Sequence, residues 1–224
     1  DPIDKRDKEL DHILAVSKPF DWCEGFDIEE KIGFKIPVKD QGKTSTCVAQ
    51  GTSTYVWIKN VLEYKKRYGE LTTDMIEYLL SWLVSVKAIY SQIFLIHGGA
   101  YLRDGVKLIK NWGAVSEREV PTITDEQDAR KKDWKNKIMD ELAKILQAEH
   151  YRVISKPTID NVAQGIRDND GLLMGVAGEN NNTWRSVFPK VGGYDWGHGI
   201  YGGKAKLIDG KKYVGILNSW GKDT

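Results

Sequence analysis

The chain has 224 residues, enough for one large domain or for two lobes sharing a cleft. With 41% hydrophobic and 29% charged residues it can bury a core, and it lacks the marks of disorder. Its 33 basic and 32 acidic side chains argue against a nucleic-acid binder, which would more often show a basic excess or a basic face.

Residues 1–20 are charged and contain no signal-peptide core. Two cysteines, Cys23 and Cys47, make no disulfide framework. The localisation is therefore left open, with a weak lean towards a reducing compartment. Residues 47–69 carry Val48, Tyr55, Ile58, Val61 and Leu62 at helical spacing, with Gly51 either a small cost inside the helix or a place where another element comes close. Asp74 and Glu77 resemble a capping pair for the next helix. The apolar stretch 78–96 is interrupted by Ser81, Ser85, Lys87, Ser91 and Gln92. It predicts a buried helix followed by a short strand rather than a membrane span, which wants about 20 mostly apolar residues. A third helix is expected over about 100–112, ended by Gly113, and a fourth over 133–149. The mixed-sign run 125–137, "DEQDARKKDWKNK", reads as a solvated helix face or loop. A short helix, "TIDNVAQGIRDNDG", closes at Asn169-Asp170-Gly171.

From there the period changes to that of strands. "LLMGVAG" (residues 172–178) reads as a short buried strand. "HGIYGGKAKLIDGKKYVGILNSWG" reads as two strands around Asp209-Gly210, a hairpin-turn signal. Helices first and strands later predict an α+β chain with two lobes. The hairpin also folds His198, which opens its first strand, towards Asn218 near the end of its second. Direct pairing is a few residues out of register, so a bulge or longer loop is required.

That juxtaposition matters because Cys47 stands at a helix start, where a thiolate is favoured. A neighbouring His takes the thiol proton, and an Asn on the other ring nitrogen fixes the ring. Attack on an acyl carbon also needs donors for the developing oxyanion. The Cys47 N–H and the side-chain amide of Gln41 are candidates.

The same residues resemble the papain-like cysteine protease family. "QGKTSTCVA" is similar to its Gln-Gly-x-Cys-Gly-Ser-Cys-Trp-Ala motif with the same Gln-to-Cys spacing. "WGHGI" is similar to its histidine motif, and "ILNSWG" to its Asn-Ser-Trp-Gly motif, the most specific piece. "PFDWCEG", "HGGAYLRDGVKLIKNWGAVSE" and "TIDNVAQGIRDNDGLLMGVAG" resemble further family segments in family order. The resemblance runs from Asp21 to Gly221.

It implies a two-lobed α+β fold with a helical N-terminal lobe, a β-rich C-terminal lobe and the active site in the cleft between them. The chain would be one peptidase domain: an extension over 1–20, a mainly helical lobe over about 21–125 and a β-rich lobe over about 126–224. Cys47 would be the nucleophile, His198 the acid–base partner, Asn218 its orienter, Gln41 an oxyanion donor and Trp220 a cover over the His–Asn pair. Gly98 and Gly99 would offer backbone to an extended peptide or protein substrate. The implied activity is that of a cysteine endopeptidase, with no cofactor, metal, nucleic acid or membrane span, in a monomer. The alternatives are an exopeptidase or transamidase on the same site, or a papain-like fold kept for binding alone.

The chain departs from the family pattern at several places. Thr44 stands where the family has a disulfide cysteine, so a disulfide-free member is expected. Ser45, Thr46 and Val48 replace the usual neighbours of the nucleophile, and Gly197 precedes His198 where many members have Asp or Asn. Members normally continue through further strands, so a chain stopping at Thr224 is expected to be a fragment. Cys23 is expected in the core. His12, His97 and His150 are expected to be surface or structural, and Asn180-Asn181-Asn182 a polar loop. Trp112, Trp184 and Trp196 are expected as packing aromatics, with Trp196 placed to line the cleft.

Overall fold

A computed structural model describes residues 10–180, 184, 186–189 and 193–221. Asn181, Asn182 and the side chain of His12 lie outside that description. A short helix α1 (Asp11–Val16) leads in, followed by β1 (Phe26–Asp27), α2 (Ile28–Ile32) and the long α3 (Cys47–Tyr68). Next come α4 (Thr73–Leu80), α5 (Val86–Ile93), α6 (Leu102–Asn111), α7 (Glu126–Ala129) and α8 (Lys137–Ala143), which runs into a 3-10 turn, Lys144–Leu146. α9 (Ile159–Asn169) precedes β2 (Leu172–Gly178), β3 (Trp196–Ile208) and β4 (Lys211–Leu217). The chain is thus mostly helical first and stranded later, except that β1 near its start joins the later sheet.

The long strand β3 organises the sheet. β2 and β1 pair with successive parts of one edge and β4 pairs with the other, all antiparallel. The β3–β4 turn is the expected two-residue one. Ile208 pairs with Lys211, and Asp209 (φ 50°) and Gly210 (φ 72°) both take the left-handed conformation of a type I′ turn. A register shift between Gly202 and Lys204 supplies the expected bulge. β2 is half-buried rather than buried, and among the described residues no further strand pairs with its outer edge.

Helix α3 lies across β3 at two glycines. A Cβ on Gly51 would stand 2.8 Å from Leu173 Cδ1 and 3.2 Å from the Ile200 carbonyl carbon, and one on Gly199 would stand 2.9 Å from Val48 Cα. Only a residue without a side chain lets the two backbones approach so closely. On its other side α3 packs Val56, Trp57, Ile58 and Val61 into the main core with Leu79, Ile89 and Tyr90. Trp57 Nε1 donates to the Leu79 carbonyl at 2.9 Å.

Three local expectations change. The stretch 78–96 is not a helix and a strand but two helices, α4 and α5, with no strand after the second. Ser85 caps α5 by accepting from Ala88 N–H, and Thr72, not Asp74, caps α4 by accepting from Met75 N–H. Lys87 in that stretch is buried and pairs with Asp133 at 3.2 Å. No helix among the described residues is long and apolar enough to cross a membrane. Finally, Cys23 is exposed, not in the core. It sits in a surface turn, where its N–H donates to Asp21 Oδ1 at 2.9 Å.

The charged stretch after residue 125 packs on the helical part of the fold. Ala129 of α7 joins the core of α3 and α5, and Ala143 of α8 packs with Ala88, Val115 and Val120. α9 lies against β3 and β4. α1 docks onto this sheet side of the fold: Leu10 and Leu14 are buried, Leu10 N–H donates to the Val153 carbonyl at 2.8 Å, and Gln164 Nε2 donates to the Leu14 carbonyl at 2.6 Å.

Candidate active site

Cys47 is the first residue of α3, after Thr46. Gly199, the residue after His198, packs on Val48 in the first turn of that helix. The close glycine contact of α3 and β3 therefore sets the nucleophile against the residue that follows His198. His198 is buried, and its Nε2 bonds to Asn218 Oδ1 at 2.8 Å. Asn218 Oδ1 also accepts from Ser219 N–H at 2.8 Å. A carbonyl oxygen can only accept, so Nε2 carries the ring proton and Nδ1 is left as the basic nitrogen. β3 and β4 end their pairing at Tyr201 and Leu217, and Asn218 follows directly.

Aromatic rings enclose the imidazole. Trp220 lies 5.0 Å from it with the planes 33° apart, and Trp196 meets it edge-on at 6.2 Å. Trp184 is buried and touches both indoles, at 5.1 Å from Trp196 and 6.2 Å from Trp220. The expected cover by Trp220 is present, and Trp184 adds a wall that the sequence offered only as packing.

Gln41 is held at both ends. Its Oε1 accepts from Ser219 Oγ at 2.7 Å, and its Nε2 donates to the Thr44 carbonyl at 2.8 Å. Its backbone N–H donates to the Ser219 carbonyl at 2.7 Å, and Gly221 N–H donates to the Lys39 carbonyl at 3.0 Å. The segment carrying Gln41 is thereby pinned to the segment carrying Asn218 and Trp220. An amide has two N–H donors, and these bonds use one of them. Thr44 Oγ1 donates to the Gln41 carbonyl at 2.6 Å and bonds to Thr46 Oγ1 at 2.7 Å. A buried hydroxyl network thus occupies the place where the resemblance had a cysteine.

Gly98 and Gly99 form a turn with φ of 92° and 75°, a conformation that favours glycine. Gly98 N–H donates to the Leu95 carbonyl and Leu95 N–H to the Gly99 carbonyl, both at 2.9 Å. A Cβ on Gly98 would stand 2.9 Å from Ser45 Oγ, so this turn abuts the nucleophile loop. His97 and His150 are exposed. Among the described residues no group of His, Cys, Asp and Glu could hold a metal.

The electrostatics depart from the expectation of a depressed thiol. Burial, the largest influence, pushes the Cys47 thiol up against the backbone N–H groups of Gly199, Val48 and Cys47 that pull it down. Burial also pushes the His198 imidazole down, against the Asn218 bond that raises it. Both shifts favour the uncharged form, the thiol at Cys47 and the neutral imidazole at His198.

Sequence reasoning missed Glu126. It lies in the run read as solvated, yet its Oε2 accepts from Ser45 N–H at 2.7 Å, two residues before the nucleophile. Ala129, fully buried three residues later in a run of charges, is the one signal that this segment has an inward face.

No family model and no curated sequence matches the chain. Solved structures do. Xylellain, a cysteine protease from Xylella fastidiosa, superposes with a TM-score of 0.69 at 19% identity over 99% of this chain and 82% of that one. Procathepsin B S9 from Trypanosoma congolense gives 0.61 at 12% identity over 93% and 70%. Digestive procathepsin L 3 from the larval midgut of Tenebrio molitor gives 0.60 at 15% identity over 92% and 62%. The chain has the papain-like α+β fold.

Proposed function

We propose that this chain is a cysteine endopeptidase in which Cys47 attacks the peptide carbonyl. The observation that carries the reading is the His198–Asn218 bond at 2.8 Å, with Gly199, the residue after His198, packed on the first turn of the helix that Cys47 opens. Asn218 fixes the tautomer that leaves His198 Nδ1 basic, so the imidazole takes the thiol proton as sulfur attacks. The imidazolium then gives that proton to the leaving amine, which leaves a thioester on Cys47. Water hydrolyses the thioester with His198 again acting as base. Gln41 Nε2 and the Cys47 N–H would donate to the oxyanion in both steps. The tryptophans around the ring keep water from competing for its proton. Gly98 and Gly99 would bind the backbone of an extended peptide, with Gly99 N–H as the donor the turn leaves over. The names of the structural neighbours support the same chemistry.

The direct test is incubation of the full chain with a diverse peptide mixture and mass-spectrometric reading of the cut bonds. Cuts at internal bonds support the endopeptidase. Removal of terminal residues alone would make it an exopeptidase, joined peptides a transamidase, and no cut a binding protein.

Two further results are expected. Gln41→Ala should lower kcat by on the order of 10²–10³-fold, the effect of losing one oxyanion donor. It should leave alkylation of Cys47 by iodoacetamide unchanged, since no oxyanion forms in that reaction. The pH profile of kcat/KM should be broad. The base must be neutral, and burial lowers His198 from its ordinary 6.5, so activity should persist below pH 6.5 and fall only as His198 protonates. Burial raises Cys47 above 9.0, so the alkaline limb should lie beyond pH 9. An acid limb above pH 6.5 would contradict the buried neutral pair.

A further inference from the structure

We propose that Glu126 and Arg130 are a positioning pair that aims Gln41 at the oxyanion and ties the nucleophile loop to the Gly98–Gly99 turn, a role that rests on the peptidase reading above. The peptide unit joining Thr44 to Ser45 is held at both ends. Its N–H donates to Glu126 Oε2 at 2.7 Å, and its C=O accepts from Gln41 Nε2 at 2.8 Å. A peptide unit is planar, so the carboxylate that fixes the N–H also fixes the direction of the C=O. That C=O sets the plane of the Gln41 amide and hence the aim of its second N–H. A charged acceptor on the N–H also strengthens the bond at the other end of the same unit.

The other oxygen of Glu126 is fully engaged. Oε1 accepts from Tyr90 Oη at 2.6 Å and from Arg130 Nε at 2.8 Å, with Arg130 Nη2 at 2.6 Å. These bonds, with that from Ser45, outweigh burial and hold the Glu126 carboxyl below its ordinary value. Arg130 Nη1 donates to the Ile96 carbonyl at 3.3 Å, and its guanidinium lies 5.1 Å from the Phe94 ring centroid. Ile96 stands two residues before Gly98, which itself abuts Ser45. One ion pair thus ties the nucleophile loop to the Gly98–Gly99 turn. No covalent brace is present, since Cys23 and Cys47 are the only cysteines and both are free.

The test uses the full chain with Glu126→Ala and Gln41→Ala, singly and together. Measurements are kcat on a blocked peptide, the Cys47 alkylation rate, the melting temperature and hydrogen exchange at the Ser45 amide. Glu126→Ala should lower kcat by on the order of 10–10²-fold, as misplacement of a catalytic group does. Alkylation and melting should change little, and Ser45 should lose exchange protection. In the Gln41→Ala background the same change should remove little more, because Glu126 acts through Gln41. Glu126→Gln, which keeps an oxygen for Ser45 N–H, should recover part of the rate. Equal losses in both backgrounds, or unchanged Ser45 exchange, would overturn the proposal. A parent chain that cuts no peptide would sink the peptidase reading instead, and Ser45 exchange would still decide whether Glu126 holds the loop.

Discussion

Cys47→Ala and His198→Ala should each abolish peptide hydrolysis, with losses on the order of 10⁶-fold, and the double variant should be no worse than either single one. Residues that act as one unit lose their whole contribution when any essential member goes. In the proposed mechanism His198 is the base for the thiol, and burial opposes the thiolate that would otherwise form without it. The imidazole, deprived of Cys47, has nothing to activate. Asn218→Ala should cost less than either, since it removes the bond that fixes the tautomer but not the base itself. Additive losses in the double variant would show that the two residues act in separate steps or not at all.

Gly199→Ala should damage stability and activity together. The added methyl would stand 2.8 Å from Val48 Cγ2, 2.9 Å from Val48 Cα and 3.1 Å from Val48 N. Two of these are backbone atoms of the first turn of α3, and they cannot swing aside as a side chain can. Relief requires α3 to lift from β3, at about 1–3 kcal/mol for an overpacked contact. The same movement shifts Cys47, the first residue of α3, relative to Gly199 and the His198 that precedes it. Gly197→Ala is the matched control, because a Cβ there meets nothing within 4 Å. Thermal melts and kcat for the pair should show one damaged variant and one close to the parent.

These same contacts explain what was legible in the sequence. Asp209-Gly210 announces its turn because few residues tolerate two successive positive φ angles, and the position of β3 and β4 follows from that turn. The bulge needed to bring Asn218 to His198 could be required on register alone, and it falls beside Gly203. Gly51 was legible only as a small helical cost or a close approach, and the choice and the strand that comes close depend on the tertiary contact with Ile200 and Leu173.

Other features depend on tertiary burial and leave no local mark. The break between α4 and α5 is hidden inside one apolar stretch and surfaces only in the caps at Thr72 and Ser85. Helix-start geometry alone favours a thiolate at Cys47, but burial reverses the sign, and burial is set by strand β3, some 150 positions further along the chain. Glu126 looks like any other charge in its run until α7 turns it towards Ser45. Cys23, apolar enough for a core, is placed at the surface by the Asp21-capped turn.

The central claim is that Cys47 carries the acyl group of the substrate. The measurement is acid quenching of the full chain while it turns over a blocked peptide ester, followed by peptide mapping by mass spectrometry. The mechanism requires the acyl mass on the peptide containing Cys47, labile to hydroxylamine as a thioester is, and absent from Cys47→Ala. Turnover with the acyl mass on another residue, or undiminished turnover by Cys47→Ala, would contradict it.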